Sequence, residues 1–353
     1  MGGASNAVYS FLPLISGHFS DRASLRRFFI ISSFFLLTLV SISYILIANP
    51  VYLIVARILE GVGWAMLWPA MDAAVSRDSG SMDSRKAFSI YNVTWSSAAA
   101  VSPLLGAALI FLTSIQGAFL LTVFILAAAF LLNFIPWFRH RKEFVAEPRP
   151  VRNEVTASDQ SLGVVSGKGT AFYAGALALA AVSSGVLFTF FAPYARDLGM
   201  SILLVGVITF VYGMGRFVFY VFSTNARVRQ ALLRPDRRVR NMLLALAMAS
   251  VSGLFISLRE PSGLLYLVAY AVVGVGISMT LAIGQTGLIT ETSPNFQGRG
   301  AGIFETSIGI GACFGPIIGG AISGTSLAVP FLVPPAGFLV FLAAFPLLSR
   351  KSK

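Results

Sequence analysis

The sequence is nearly without cysteine, histidine and charge. Its one cysteine, Cys313, excludes a disulfide framework and a thiolate metal cluster. With two histidines, no His/Cys/Asp cluster at metal-ligand spacing and no nucleophile–base pairing can be read, so neither an enzyme nor a bound metal or cofactor is expected. Charged residues make up 11%, against roughly 25% in an ordinary soluble domain. Acidic residues are the scarcer sign, 14 against 26 basic. With 56% hydrophobic residues and a mean hydropathy of +0.80, this excludes a soluble globular fold, a disordered chain and a fibrous repeat. No Walker-type phosphate loop is present, so ATP is not the expected drive. The opening residues lack the basic n-region of a signal peptide, and Asn6 stands where myristoylation needs Ser or Thr.

What fills the chain is long apolar runs. A membrane span takes about 20 consecutive, mostly apolar residues. Eleven windows qualify: 2–20, 27–48, 50–75, 84–112, 115–137, 169–195, 200–222, 240–258, 261–289, 297–323 and 327–349. The hydrophilic stretch 138–168, with Pro148, Pro150, Asp159 and Gly163, interrupts them. The expected organisation is an all-α membrane protein: a bundle over 1–137, a cytoplasmic linker over 138–168 and a six-helix bundle over 169–353. Of the 26 basic residues, 22 fall on one side of these spans, and the opposite loops hold only Arg196 and Arg259. That asymmetry assigns the basic side to the cytoplasm. The positive charge therefore encodes topology, and nucleic acid is not an expected partner, because no basic patch carries interleaved exposed aromatics. The expectation is a monomeric, multi-pass plasma-membrane protein in the lipid bilayer with a cytoplasmic C-terminus.

The sequence also repeats itself. At an offset of 213, Val55, Ala56, Gly61, Val62, Gly63 and Met66 match Val268, Ala269, Gly274, Val275, Gly276 and Met279. The same offset carries Pro103 and Gly106 onto Pro316 and Gly319. Two separated segments in one register point to related bundles facing the same way, as in parallel-repeat transporters. The counterpart of the helix at 169–195 would precede Met1, so the first half is expected to lack its opening helix.

Local motifs accompany the repeat. Gly17-His18-Phe19-Ser20-Asp21-Arg22-Ala23-Ser24-Leu25-Arg26-Arg27 is a glycine, an Asp-Arg pair and clustered bases in one loop. Arg57 and Gly61 make Arg-x-x-x-Gly. A Gly-Pro-x-x-Gly pattern is partial at Ser102-Pro103-Leu104-Leu105-Gly106 and full at Gly315-Pro316-Ile317-Ile318-Gly319-Gly320. In order, spacing and topology these resemble the major facilitator superfamily of transporters over essentially the whole chain; Ser24 departs from the usual second glycine of the loop. The resemblance implies a two-bundle fold with eleven transmembrane helices, five and six, the first family helix being absent. It implies a cytoplasmic gate of Gly17, Asp21, Arg22, Arg26 and Arg27 that latches the halves when the cavity opens outward. It also marks Gly61, Pro103, Gly106, Gly315, Pro316, Gly319 and Gly320 as hinge or close-packing positions.

Four ionisable residues lie deep within spans: Arg57, Glu60, Arg216 and Glu305. Each costs about 2.5–3.5 kcal/mol at a helix centre on insertion scales, so they are expected to face protein or water as cavity and coupling charges. Arg57 and Glu60 are spaced to pair on one helix face. The same stripe continues through Trp64, Trp68 and Asp72. Under the 213 shift Arg57 lands on Tyr270, Asp72 on Gln285 and Asn92 on Glu305, as expected of halves lining one cavity. Arg216, Glu305 and Asn92 are expected in one polar layer, with Arg57 and Glu60 nearer the outside. Tyr91, Trp95, Phe188, Phe191 and Tyr212 complete an aromatic lining. The reading is a secondary transporter of small organic solutes, driven by protons through Glu305 or Glu60 or by the substrate's own gradient, with the proline motifs and the aromatic lining pointing to amphipathic compounds and their export. Its alternatives are uptake of an organic anion or metabolite, and a transport-inactive sensor or scaffold.

Overall fold

A computed structural model describes residues 2–46, 49–77, 82–139, 167–259, 263–324 and 326–349. The first half comprises α1 (Gly2–Tyr9), α2 (Leu12–Ser20), α3 (Ala23–Leu46), α4 (Pro50–Arg77), α5 (Ser84–Leu112) and α6 (Ile115–Arg139). The second comprises α7 (Gly167–Asp197), α8 (Ile202–Ser223), the short α9 (Ala226–Leu233), α10 (Pro235–Ile256), α11 (Leu264–Gln285), α12 (Gln297–Ile322) and α13 (Val333–Ser349). No strand occurs among the described residues. The expected linker lies outside them except at its edges, which are helical through Arg139 and again from Gly167.

Nine helices among the described residues are long and apolar enough to cross a membrane. They account for nine of the eleven expected windows. The window 2–20 is instead two short helices joined at Ser10 and Phe11, with Pro13 in the first turn of α2. Proline has no N–H to return to the carbonyl four residues back, so a continuous helix would leave the Tyr9 carbonyl without its donor. The window 327–349 opens with a 3₁₀ turn at Val329–Leu332 before the 17 residues of α13.

Outward faces carry large apolar side chains such as Leu46, Leu112 and Leu132, all exposed, as a lipid-facing surface requires. The main buried core lies in the second half, around Tyr194, Leu246, Tyr266 and Phe331. There the Tyr194 hydroxyl donates to the Ile256 carbonyl at 2.9 Å. A smaller core in the first half joins Ile30, Leu37, Leu67 and Ala70. In the second half α7 covers α12 and α13. Among the described residues no helix holds the equivalent place against α5 and α6, and α6 has no buried residue.

The halves meet along two seams, α1 and α2 with α12, and α5 with α8. Small residues make both seams close. A side chain at Gly17 would run into the backbone of Gly298 and Gly302, and one at Gly213 into Ala100. Past Gln285 α11 winds into a π turn, Thr286–Thr290, which Gly300 approaches at the Leu288 carbonyl.

Candidate functional site: a cavity between the bundles

Between the seams lies a cavity of about 380 Å³, lined by α1, α4 and α5 from one half and by α7, α8, α11 and α12 from the other. Arg216, Glu305 and Asn92, expected in one layer, all line it, with Trp64, Trp68, Asp72, Trp95, Tyr212 and Gln285. Tyr91 and Phe188 line it as well.

The break in the first window shapes one wall. Gly309 of α12 approaches the Tyr9 carbonyl, and the Tyr9 hydroxyl donates to Glu305 Oε2 at 2.5 Å. Glu305 and Asp72 are both buried and line the cavity from opposite halves, close enough to interact across the bundle interface. An ionised carboxylate can only accept, so two carboxyl groups bond to each other only while they hold a proton. Asp72 Oδ2 is buried without a partner. Nearby, Asn92 Nδ2 donates to Gln285 Oε1 at 2.7 Å, again across the interface. Asp72 maps onto Gln285 and Asn92 onto Glu305 under the 213-residue shift, so the carboxyl pair and the amide pair are symmetry counterparts.

Arg216 is 9% exposed. Its guanidinium carbon sits 4.1 Å from the Trp95 ring centroid, and Nη1 donates to the Tyr212 hydroxyl at 3.4 Å. Its Nε has no partner, and no carboxylate pairs with it among the described residues. Trp68 meets Trp95 edge-on at 6.5 Å and stacks on Trp64 at 5.9 Å, extending the aromatic wall.

Other expected residues sit elsewhere. Arg57 and Glu60 do not line the cavity. They pair at 2.9 Å, and Glu60 also accepts from Tyr44 at 2.6 Å and from Trp64 at 3.4 Å. Three local donors satisfy Glu60 away from the cavity, and Trp64, which also lines the cavity, is one of them. Tyr270 and Phe191 are core residues, packed on each other with ring centroids 4.6 Å apart. The pseudo-symmetric match of Arg57 to Tyr270 therefore does not extend to the cavity wall.

The residues expected at the gate meet other partners. Asp21 Oδ1 accepts from the Gly298 N–H at 2.7 Å, at the start of α12, and Oδ2 lies 3.6 Å from Arg299. Arg77 donates to the Asp21 carbonyl at 2.6 Å. Arg22 is exposed, Arg27 half-buried, and Arg26 buried. A helix N-terminus offers free N–H groups and positive potential, which is why Asp21 reaches across to α12 rather than back to its own arginines. Burial pushes the Asp21 carboxyl above its ordinary range, opposed by Gly298, Arg77, Arg299 and His18. At the same end Arg85 reaches Glu291 at 3.3 Å across the interface, and Arg238 holds Glu291 at 2.5 and 2.7 Å.

Of the glycine and proline positions, Gly61 packs on Ser5, Gly315 on Val182, Gly319 on Phe190, and Pro316 against Gly185. Gly106 and Gly320 face open space, so they are not close-packing sites. Pro103 is exposed on α5, which continues unbroken through it. Ser5, Asn6, Tyr9, Ser184, Tyr220 and Phe304 line the cavity without having been anticipated. Ser5 and Tyr9 are one helical turn apart, a polar stripe visible in the sequence, and Tyr220 continues the stripe of Tyr212 and Arg216; Asn6, Ser184 and Phe304 carry no such signal.

The Major Facilitator Superfamily profile matches residues 1–316. A comparison with curated protein sequences returned no match. Among solved structures, the E. coli fucose:proton symporter FucP is similar in fold, at 16% identity and a TM-score of 0.64, covering 99% of this chain and 91% of that one. FucP in its outward conformation gives 15% identity and 0.65 over 99% and 90%. The human organic anion transporter MFSD10 gives 18% identity and 0.63 over 98% and 82%. At these identities the structural likeness is one of fold. With two linked helical bundles, an internal repeat and a family profile matched over most of its length, the chain belongs to the Major Facilitator Superfamily, a multi-pass membrane transporter family.

Proposed function

We propose that the chain is a secondary active transporter that moves a small organic solute by alternating access, coupled to a proton held between Asp72 and Glu305. The observation that carries this reading is the carboxyl pair across the bundle interface, whose symmetry counterpart is the Asn92–Gln285 amide pair. The amide pair bonds at any pH, whereas the carboxyl pair bonds only while it holds a proton. Loss of that proton leaves two buried like charges in contact, and their repulsion in a low-dielectric site drives the bundles apart. Asp72 lies five residues from the end of α4 at Arg77, so the break opens the cavity toward the end carrying Asp21 and Glu291. The asymmetry of basic residues supports a cytoplasmic placement of that end and of the C-terminus; the proposed transporter is a monomer of the plasma membrane. Glu60, held by Arg57, Tyr44 and Trp64 off the cavity, takes a structural role.

Proteoliposomes loaded with a pH-sensitive dye and challenged with a panel of small organic solutes test this reading. At least one solute is expected to move protons, and the sign of that movement separates symport from antiport. Glu305→Gln and Asp72→Asn should abolish proton movement while leaving exchange of labelled solute. Solute flux that moves no protons and is indifferent to both substitutions would overturn the coupling.

A further inference from the structure

We propose that the cavity selects small planar aromatic monoanions, with their anionic group on the Arg216 guanidinium and their ring against Trp95 and its neighbouring indoles. This assignment rests on the transport reading of the same cavity but concerns what is bound rather than how it is driven.

Arg216 carries the argument. A guanidinium is always charged and presents five N–H donors. Buried without a carboxylate partner, it pays the desolvation of a charge without the usual return. Within the described residues its partners are the Tyr212 hydroxyl and the Trp95 and Tyr212 rings, and its Nε remains free. The acids of the same cavity are engaged elsewhere: Asp72 and Glu305 with each other, and Tyr9 with Glu305. The missing counter-ion is therefore supplied by whatever enters the cavity, and a planar carboxylate matches the guanidinium fork.

The rest of the wall sets the body of the ligand. Trp95, Trp68 and Trp64 form one continuous aromatic surface beside the guanidinium, and Phe188 meets Tyr212 edge-on at 5.2 Å. Leu177, Ala180, Ile277 and Leu281 complete an apolar lining. A sugar would find few free polar groups there, because the Asn92 and Gln285 amides bond to each other. A volume of about 380 Å³ lies near the lower end of the ~300–1,000 Å³ range of ligand pockets, which suits a single ring with one charged group. A second anionic group would meet the Asp72–Glu305 pair, so dianions are disfavoured.

Binding to the purified, detergent-solubilised protein tests this without any transport step. Benzoate, benzamide, benzylamine and acetate are titrated against the intrinsic tryptophan fluorescence. Benzoate is expected to bind saturably and about tenfold or more tighter than benzamide, the factor one charge-assisted hydrogen bond supplies, and tighter than acetate, which lacks the ring that packs on Trp95. Benzylamine should not compete with it. Arg216→Gln should erase the preference for benzoate over benzamide, Arg216→Lys should retain a reduced preference, and Trp95→Leu should weaken both ligands alike. Equal binding of benzoate and benzamide by the unaltered protein overturns the proposal, whatever the variants do. So does a preference that survives Arg216→Gln. A proton flux driven only by cationic or uncharged solutes would overturn this ligand class while leaving proton-coupled transport standing.

Discussion

Glu305 stands out in the sequence as an intramembrane carboxylate, whereas Asp72 becomes unusual only in its company. Replacing either by its amide keeps size and hydrogen-bonding capacity but removes the need for a shared proton, so opening of the bundle interface should no longer depend on pH. Gradient-driven solute accumulation is then expected to fall about tenfold or more, while solute exchange persists, as measured in proteoliposomes. Tyr9→Phe removes a bond to a buried carboxyl. It should destabilise the protein by about 1.5–3 kcal/mol, read in a chemical-denaturation series.

Asp21 yields a pH dependence of definite sign. Burial raises its carboxyl from about 3.8, so the latched arrangement binds the proton more tightly than water-exposed Asp21 does. Lowering the pH through the interval between the ordinary and the raised value should therefore strengthen the latch, and raising it should weaken it. The rate of disulfide cross-linking between Ser89→Cys and Ser223→Cys reports this, because Ser89 Oγ lies 3.3 Å from the Ser223 carbonyl across the interface. Asp21→Asn should flatten the pH profile. A profile unchanged by Asp21→Asn would assign the effect to another group.

At the scale of elements, glycine content alone does not say which helices touch. Gly17 and Gly320 belong to equally suggestive motifs, yet Gly17 lies against the backbone of α12 and Gly320 faces open space. Gly17→Val should disfavour the latched state by about 1–3 kcal/mol through overpacking, slowing the same cross-link. Gly320→Val should leave it nearly unchanged. The break between α1 and α2 was legible in Pro13, but its consequence was not. A proline announces a lost backbone bond, whereas the neighbour that comes to lie beside the Tyr9 carbonyl depends on how α12 docks.

The whole molecule is organised by its repeat. Asp72 pairs with Glu305 and Asn92 with Gln285, and the 213-residue shift exchanges the two pairs. Moving the acids to the other pair is therefore a test of the architecture itself. A variant carrying Asp72→Gln, Glu305→Asn, Gln285→Asp and Asn92→Glu should regain proton coupling in the proteoliposome assay, which the first two substitutions alone would remove. Failure of the four-fold variant to move protons, with solute exchange intact, would show that the two positions are not equivalent in function.

Bundle architecture, the repeat and the membrane setting were readable from the sequence, because apolar span length, glycine register and the side on which arginines fall are one-dimensional properties. The intramembrane charges Arg216 and Glu305 were readable too, since burying a charge in lipid is costly wherever it occurs. Tertiary structure decided the rest. Arg57 and Glu60 carry the same sequence signal as Arg216 and Glu305, but they pair with each other away from the cavity, with Tyr44 and Trp64 also donating to Glu60, and only docking of one bundle on the other distinguishes the two sets. That Asp72 meets Glu305, and that Arg216 meets Trp95 rather than an acid, follows from which helix faces which. Such contacts join residues up to 233 positions apart, and no local pattern records them.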